Sequence, residues 1–137
     1  MSAWNPSVLK EVCLPSCHYV YQFYVEPEDK MLSILVNMRS CDVFLGLPFN
    51  IASYALLLYI VAKMTDLRPH KVYFTLCDTH IYQTHIEQCR EQLSRDIREL
   101  PTLQILQKRD KIEEYTIDDF LLENYDPHRA ISAPMAA

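Results

Sequence analysis

Gly46 is the only glycine in a chain of 137 residues, and this scarcity restricts how the chain can fold. Tight turns must rely on proline, aspartate and asparagine, which are the other residue types that suit turn positions. A glycine-rich loop that surrounds a phosphate with backbone N–H groups is excluded. Any phosphate must therefore be held by side chains, and arginine is the side chain best suited to that task.

The composition is that of one ordinary globular unit. We predict a single domain over residues 1–137, because the length suits one core and no linker or repeat divides the chain. Half of the residues are apolar, which is too many for a disordered protein. The net charge of −5 argues against nucleic acid as the primary partner.

The cysteines indicate free thiols. They are odd in number and lack the spacing of a metal site or a disulfide framework, and they lie at positions 13, 17, 41, 77 and 89. No metal site is expected. With no secretory signal ahead of them, we expect a reducing, cytoplasmic setting.

Alternating apolar residues predict a β-hairpin near the start of the chain. His18 to Val25 and Leu32 to Met38 each alternate at period two, and a proline-containing acidic turn separates them. Antiparallel pairing would bring Cys17 and Arg39 together, since they stand at the two open ends of this hairpin.

A long apolar segment follows the hairpin. Asn50 to Met64 is predicted to form a helix that is apolar nearly all round. The run from Ile51 to Ala62 is apolar apart from Ser53 and has 12 residues, which falls short of the ~18 needed to span a bilayer. The length therefore favours a buried core helix.

The remainder of the chain alternates between short helical and extended patterns. We predict a strand, an amphipathic helix, a short strand, a capped turn and a last strand over residues 72–81, 84–95, 103–107, 116–119 and 120–123. The fold class is α+β, with one mixed or antiparallel β-sheet packed against a buried core helix.

Cys17 and the Arg39-Ser40 pair are the first candidates for chemistry. A lone cysteine is usually a small buried hydrophobe, but Cys17 follows a proline-containing turn and lies within predicted reach of Arg39. A neighbouring cation favours the nucleophilic thiolate. The guanidinium and the Ser40 hydroxyl together suit the oxygens of a phosphate monoester.

Three further polar residues allow two interpretations each. The amide of Asn50 could read a nucleobase edge, because it offers a donor and an acceptor side by side, or it could cap the apolar helix. His80 and Tyr82 alternate along a predicted strand, so they face one side of it. They could be ligands or polar residues of the core.

Several motifs carry a resemblance to one enzyme family. They are SAWNP at residues 2–6, PSCH at 15–18, RSCDVFLGLPFN at 39–50, DTHIY at 78–82, YDPH at 125–128 and APMAA at 133–137. Their order and spacing resemble thymidylate synthase over essentially the whole chain. The resemblance implies the fold of that family and covers its C-terminal portion.

The resemblance also implies a reaction and a set of roles. The reaction is the reductive methylation of dUMP to dTMP with methylenetetrahydrofolate, in which Cys17 adds to carbon 6 of the uracil ring. The implied dUMP ligands are Arg39, Ser40, Cys41, Asp42, Asn50, His80 and Tyr82. The implied folate contacts are Asp42, Gly46 and Ala136.

Departures from the family pattern concern both single positions and the extent of the chain. Met38, Cys77, Thr84 and Asn124 stand where the family usually has glutamine, glycine, asparagine and glycine. The family's N-terminal part, with a general acid/base glutamate and further arginines, has no counterpart here. We therefore expect a homodimer or complementation by a separate N-terminal half.

Two other functions remain open from the sequence. A deoxycytidylate hydroxymethylase-like enzyme is disfavoured by Asn50, because cytosine-specific relatives carry aspartate at that position. A catalytically silent remnant or binding subunit would keep the fold without turnover.

Overall fold

A computed structural model describes residues 1–135, and its centre is a three-stranded mixed sheet. Strand β1 spans His18–Glu26, β2 spans Met31–Asp42 and β3 spans Arg68–His80, in the order β1-β2-β3. β1 and β2 form the predicted antiparallel hairpin, whereas β2 and β3 are parallel. The parallel pair requires a crossover, because a tight turn cannot join parallel strands.

Helix α1, Leu47–Met64, is that crossover, and it packs on one face of the sheet. The alternate residues of β2 that point to this face are buried, as the period-two pattern predicts. The buried core comprises Leu32, Ile34, Val36, Met38 and Cys41 of β2 with Tyr54, Leu58 and Ala62 of α1.

Helix α1 begins three residues before the predicted start. Pro48 lies in its first turn, where proline is tolerated because the N–H it lacks would have no helical partner. The bilayer argument from length was therefore wrong: α1 has 18 residues and a mean hydropathy of 1.4, enough to cross a membrane by length and composition. Its packing on the sheet is what supports a core helix.

The C-terminal third adds a second, smaller sheet. After a 3₁₀ turn at Gln83–His85, helix α2 covers Ile86–Leu93, which is shorter at both ends than predicted. Strands β4, Thr102–Ile105, and β5, Phe120–Glu123, then pair antiparallel with each other. The α+β class, with a mixed sheet against a core helix, is confirmed.

Two more 3₁₀ turns, Ile112–Glu114 and Ile117–Asp119, lie between β4 and β5. The second confirms the capped turn predicted at Thr116, since its N-terminus carries a reciprocal capping box with Asp119. Asp119 is 3% exposed and also accepts Nε and Nη2 of Arg109, at 3.2 and 2.7 Å. These contacts fix the connection between the two strands.

Candidate active site

The loop that carries Cys17 is held from two sides. The N–H of Arg39 donates to the carbonyl oxygen of Cys17 at 2.8 Å, so the predicted meeting of the two hairpin ends is confirmed. The guanidinium of Arg39 donates to the Pro15 carbonyl through Nε, at 3.2 Å, and through Nη2. From the other side, Nε1 of Trp4 donates to the Ser16 carbonyl at 3.0 Å.

The parallel pairing of β2 with β3 brings two sequence motifs to one edge of the sheet. Ser40 lies opposite Asp78, and Asp42 lies opposite His80. The Ser40 hydroxyl donates to Oδ2 of Asp78 at 3.2 Å across this ladder. The RSCD and DTHIY motifs are therefore neighbours in space because their strands end together.

A tight turn after β2 shapes the next part of the site. Oδ1 of Asp42 accepts the N–H groups of Phe44 and Leu45, at 3.0 and 3.3 Å, while the Asp42 carbonyl accepts the N–H of Gly46 at 3.1 Å. A Cβ at position 46 would lie 2.9 Å from that carbonyl oxygen. Glycine is thus required by close approach of the backbone, its φ of −89° being ordinary.

Asn50 lies inside α1, one turn beyond its start. The helix is capped at Gly46, so the interpretation of Asn50 as the N-cap is wrong. Its N–H donates to the carbonyl of Gly46 at 3.1 Å as a normal helical bond. The amide side chain therefore does not cap the helix.

One cleft collects five of the predicted site residues. Its volume is about 390 Å³, and we call it the Cys17 cleft. The predicted residues that line it are Cys17, Ser40, Asp42, Gly46 and Asn50. Its other lining residues are Leu14, Pro15, Ser16, His18 and Met38. A thiol, a hydroxyl, a carboxylate and an amide thus converge on one partly open space.

Four predicted site residues lie elsewhere. The Arg39 guanidinium is directed to Pro15, and Cys41 is buried in the core at 1% exposure. Burial, and then the charges of Asp42 and Cys17, raise the pKa of the Cys41 thiol, which keeps it protonated. His80 and Tyr82 do not line the cleft, although His80 lies opposite Asp42 in the sheet. Ala136 lies outside the described residues.

His80 and Tyr82 form an aromatic pair at the end of β3. Their rings meet edge to face with centroids 5.1 Å apart. Nδ1 of His80 lies 3.0 Å from the carbonyl oxygen of Asp78, so this nitrogen carries the proton and donates. Nε2 is then the acceptor that remains for a ligand hydroxyl.

Sequence reasoning missed one support of the cleft, a hydrogen bond between His18 and Tyr54. Nδ1 of His18 lies 2.6 Å from the hydroxyl of Tyr54 on α1. Burial, and then the neighbouring Tyr21, raise the pKa of the Tyr54 phenol, so the hydroxyl keeps its proton and can either donate to Nδ1 or accept from it. The bond ties the residue after Cys17 to the core helix. Its partners are 36 positions apart, and no local pattern links them.

A family model matches the whole chain. The model is that of thymidylate synthase, and the match covers residues 1–137. The chain belongs to the thymidylate synthase family. Thymidylate synthases are methyltransferases that bind dUMP and use methylenetetrahydrofolate as co-substrate, so the family predicted from the motifs is confirmed.

The geometry of this thymidylate synthase family member suits addition chemistry on a planar ring. Such chemistry requires a thiol that can reach the ring, polar groups along one ring edge, and groups that hold the substrate in place. Cys17 and Asn50 both line the Cys17 cleft. Ser40, near the C-terminal end of β2, lines the same cleft.

Proposed function

We propose that this chain provides the nucleophile and the pyrimidine-binding surface of a thymidylate synthase, which converts dUMP to dTMP. The observation that carries the proposal is the convergence of Cys17 and Asn50 on one cleft with Ser40 and Asp42. These residues come from the loop before β1, the end of β2 and the first turns of α1. Chance clustering from such separate segments is a poor explanation.

Cys17 acts as the nucleophile in this proposal. Its sulfur adds to carbon 6 of uracil, which makes carbon 5 nucleophilic toward the one-carbon unit. Methylenetetrahydrofolate supplies that unit and the reducing equivalents. Cys41 cannot replace Cys17, because it is packed between the sheet and α1.

Asn50 selects uracil in this proposal. Its amide presents a donor and an acceptor, which match the N3–H and carbonyl edge of the base. With the capping role excluded, the cleft is the environment that remains for this side chain. A deoxycytidylate hydroxymethylase-like activity is the second candidate, and the identity of residue 50 disfavours it.

Arg39 and Ser40 bind the phosphate in this proposal, and His80 with Tyr82 binds the ribose. A guanidinium has five N–H donors, and the contacts to Pro15 use two of them. The three others could meet a phosphate next to the Ser40 hydroxyl. Arg39 would then fix both the nucleophile's loop and the substrate's anion.

The folate is assigned to the side of the cleft formed by Asp42 and Gly46, with Ala136 as a further contact. Asp42 commits Oδ1 to its turn, and Oδ2 makes no hydrogen bond within the described residues. That oxygen can accept an N–H from a pterin-like ring. The absence of a side chain at Gly46 lets the turn pack closely against the Asp42 carbonyl, and it leaves no side chain at this position to protrude into the cleft.

The proposal also includes an interface between α1 and a second polypeptide. The side of α1 that faces away from the sheet exposes large apolar residues, among them Phe49 at 74%, Ile51, Leu56 and Tyr59. An apolar helix face of this extent is normally covered. We propose that a separate N-terminal half of the family fold covers it, and that the assembly is a cytoplasmic homodimer. A silent binding subunit is the alternative.

Covalent trapping of a fluorinated dUMP analogue tests the function. The chain is mixed with an N-terminal half of the family, methylenetetrahydrofolate and the analogue, and the adduct is located by mass spectrometry. We expect an adduct on Cys17 and its loss in Cys17→Ala, with turnover lower by on the order of 10³-fold or more. Cys13→Ala is the matched control, since this exposed thiol lies four residues away. An adduct that survives in Cys17→Ala would refute the assignment.

A further inference from the structure

His85 is a fully buried polar side chain, with 0% exposure, at the start of α2. Its ring lies between two aromatic rings, those of Phe44 and Tyr82, each with centroids 5.6 Å away. Phe44 belongs to the turn that Asp42 forms, and Tyr82 is the proposed ribose ligand. A buried imidazole thus touches two parts of the candidate site without lining the Cys17 cleft.

The one side-chain hydrogen bond that His85 makes within residues 1–135 goes to the C-terminal segment. Nε2 lies 2.7 Å from the carbonyl oxygen of Pro134, 49 positions along the chain. A carbonyl can only accept, so Nε2 carries the proton and Nδ1 is bare. Nδ1 is buried and has no hydrogen-bond partner among those residues. The side chain is therefore held in one tautomer by the contact with Pro134.

Leaving a buried nitrogen without a partner is costly, and a leucine of similar size would avoid that cost. A histidine at this position is explained if its hydrogen bond to Pro134 contributes more than the unpaired Nδ1 costs. Pro134 has no N–H, so its carbonyl is its only backbone hydrogen-bonding group. The segment around it also contains Ala133 and Met135, which have no charged group with which to attach.

We propose that His85 is a positioning residue that anchors the C-terminal segment, Ala133–Met135, to the candidate site. The anchor joins three elements: the C-terminal segment through Pro134, the turn after β2 through Phe44, and the end of β3 through Tyr82. The consequence for catalysis rests on the proposed function. If the segment closes the folate side of the site, loss of the anchor raises the KM for folate more than it lowers kcat.

The first test measures the mobility of the segment directly, through ¹H–¹⁵N heteronuclear NOEs of Ala133 and Met135. In the intact chain both NOEs should be those of an ordered backbone, and in His85→Leu they should be lost, because the bond that holds Pro134 is gone. His85→Gln should restore them, because its amide N–H can reach the position of Nε2. The matched control is His128→Leu, since Nε2 of His128 also lies near a backbone carbonyl, that of Asp96, at 2.9 Å. Unchanged NOEs in a folded His85→Leu would overturn the proposal.

The second test leaves His85 intact, so it decides the matter even if the variant does not fold. Diethyl pyrocarbonate modifies accessible imidazoles, and His70, which is exposed, serves as the internal reference. In the intact chain His85 should react far more slowly than His70. In a chain that ends at Ser132 the two rates should approach each other. A His85 that stays protected without the segment would contradict the anchor.

Neither test depends on turnover. If these tests refute the proposal that His85 anchors the segment, the prediction of Cys17 trapping is unaffected. If the trapping experiment fails, the anchor proposal is unaffected.

Discussion

Asp42 and Asp119 show how differently this molecule uses a carboxylate in two regions. Asp119, between the two strands of the small sheet, receives the fork of Arg109 and the N–H and hydroxyl of Thr116. Asp42, at the edge of the large sheet, receives two backbone N–H groups on one oxygen only. Both oxygens of Asp119 accept hydrogen bonds, whereas Oδ2 of Asp42 can still accept one from a ligand.

The difference indicates what each region is for. An ion pair whose carboxylate is buried and saturated specifies one arrangement of the chain. The region around Asp42 instead has a cleft next to polar groups that the protein satisfies only in part. We expect changes near Asp119 to alter stability and changes near Asp42 to alter binding. The following predictions test that separation.

The largest expected effect is on turnover by the chain alone, because the region around Asp42 forms only part of the proposed site. The chain alone should make negligible dTMP, because the general acid/base glutamate that the family resemblance assigns to an N-terminal part is not among the residues that line the Cys17 cleft, and such groups typically contribute ~10²–10⁴-fold. Addition of an N-terminal half of the family should restore turnover, measured as dTMP formed or folate oxidised. Vigorous turnover by the lone chain would show that its site is complete. Self-association of the lone chain, seen by light scattering, is expected from the exposed face of α1.

The next effect concerns base choice at Asn50. Asn50→Asp should weaken dUMP binding and favour dCMP, because a mismatched buried polar group costs about 1–3 kcal/mol. The ratio of the two affinities should move by roughly ten- to a hundredfold. Ser53→Asp adds the same charge at an exposed position on α1 and should leave the ratio unchanged. An unchanged ratio in Asn50→Asp as well would remove Asn50 from the nucleotide site.

A smaller effect is expected at Gly46. Gly46→Ala places a methyl group 2.9 Å from the Asp42 carbonyl, so the turn after β2 must shift. Added methyl groups in packed sites cost about 1–3 kcal/mol, and alanine is also a poorer N-cap than glycine. We expect dUMP and folate to bind several-fold more weakly by calorimetry, and the unfolding temperature to fall by a few degrees. A large loss of stability with normal binding would assign Gly46 to the scaffold.

The smallest effect on binding is expected at Asp119, where stability should change instead. The hydrogen bonds from Arg109, and then from the Thr116 backbone, lower the pKa of Asp119. A lowered pKa contributes stability that is present above the ordinary value of about 3.9 and is lost as pH falls through the folded value. Asp119→Asn should therefore unfold at a lower temperature at pH 7, and the gap to wild type should close in acid. Asp118→Asn, exposed in the same 3₁₀ turn, should show neither effect.

Local patterns predicted the strands well but placed the helix ends less well. Phe120–Glu123 formed the strand that its residues indicated, and the hairpin of β1 and β2 followed from alternation alone. The start of α1 was misplaced because Pro48 looks like a helix breaker, although a first turn accepts it. The extent of β2 to Asp42 was missed, since its polar end lacks the alternating signal.

The site could be predicted only as a set of motifs. Cys17 and Arg39 were brought together by hairpin geometry, which the sequence reveals. The Ser40 contact with Asp78 depends on parallel register across a helical crossover, which no local signal specifies. The His85 contact with Pro134 was missed for the same reason, as its partners are far apart and neither belongs to a periodic pattern.

The parallel pairing of β2 with β3 also has a kinetic consequence. Ser40 and Asp78 are 38 positions apart, so their ladder cannot form until α1 has closed the crossover between them. Non-local pairings of this kind are slow, because chain entropy is lost before contacts compensate for it, whereas the β1–β2 hairpin can form early. Binding of a nucleotide that needs both Cys17 and His80 would therefore report the last stage of folding. A refolding chain should regain its hairpin well before it regains its ligand.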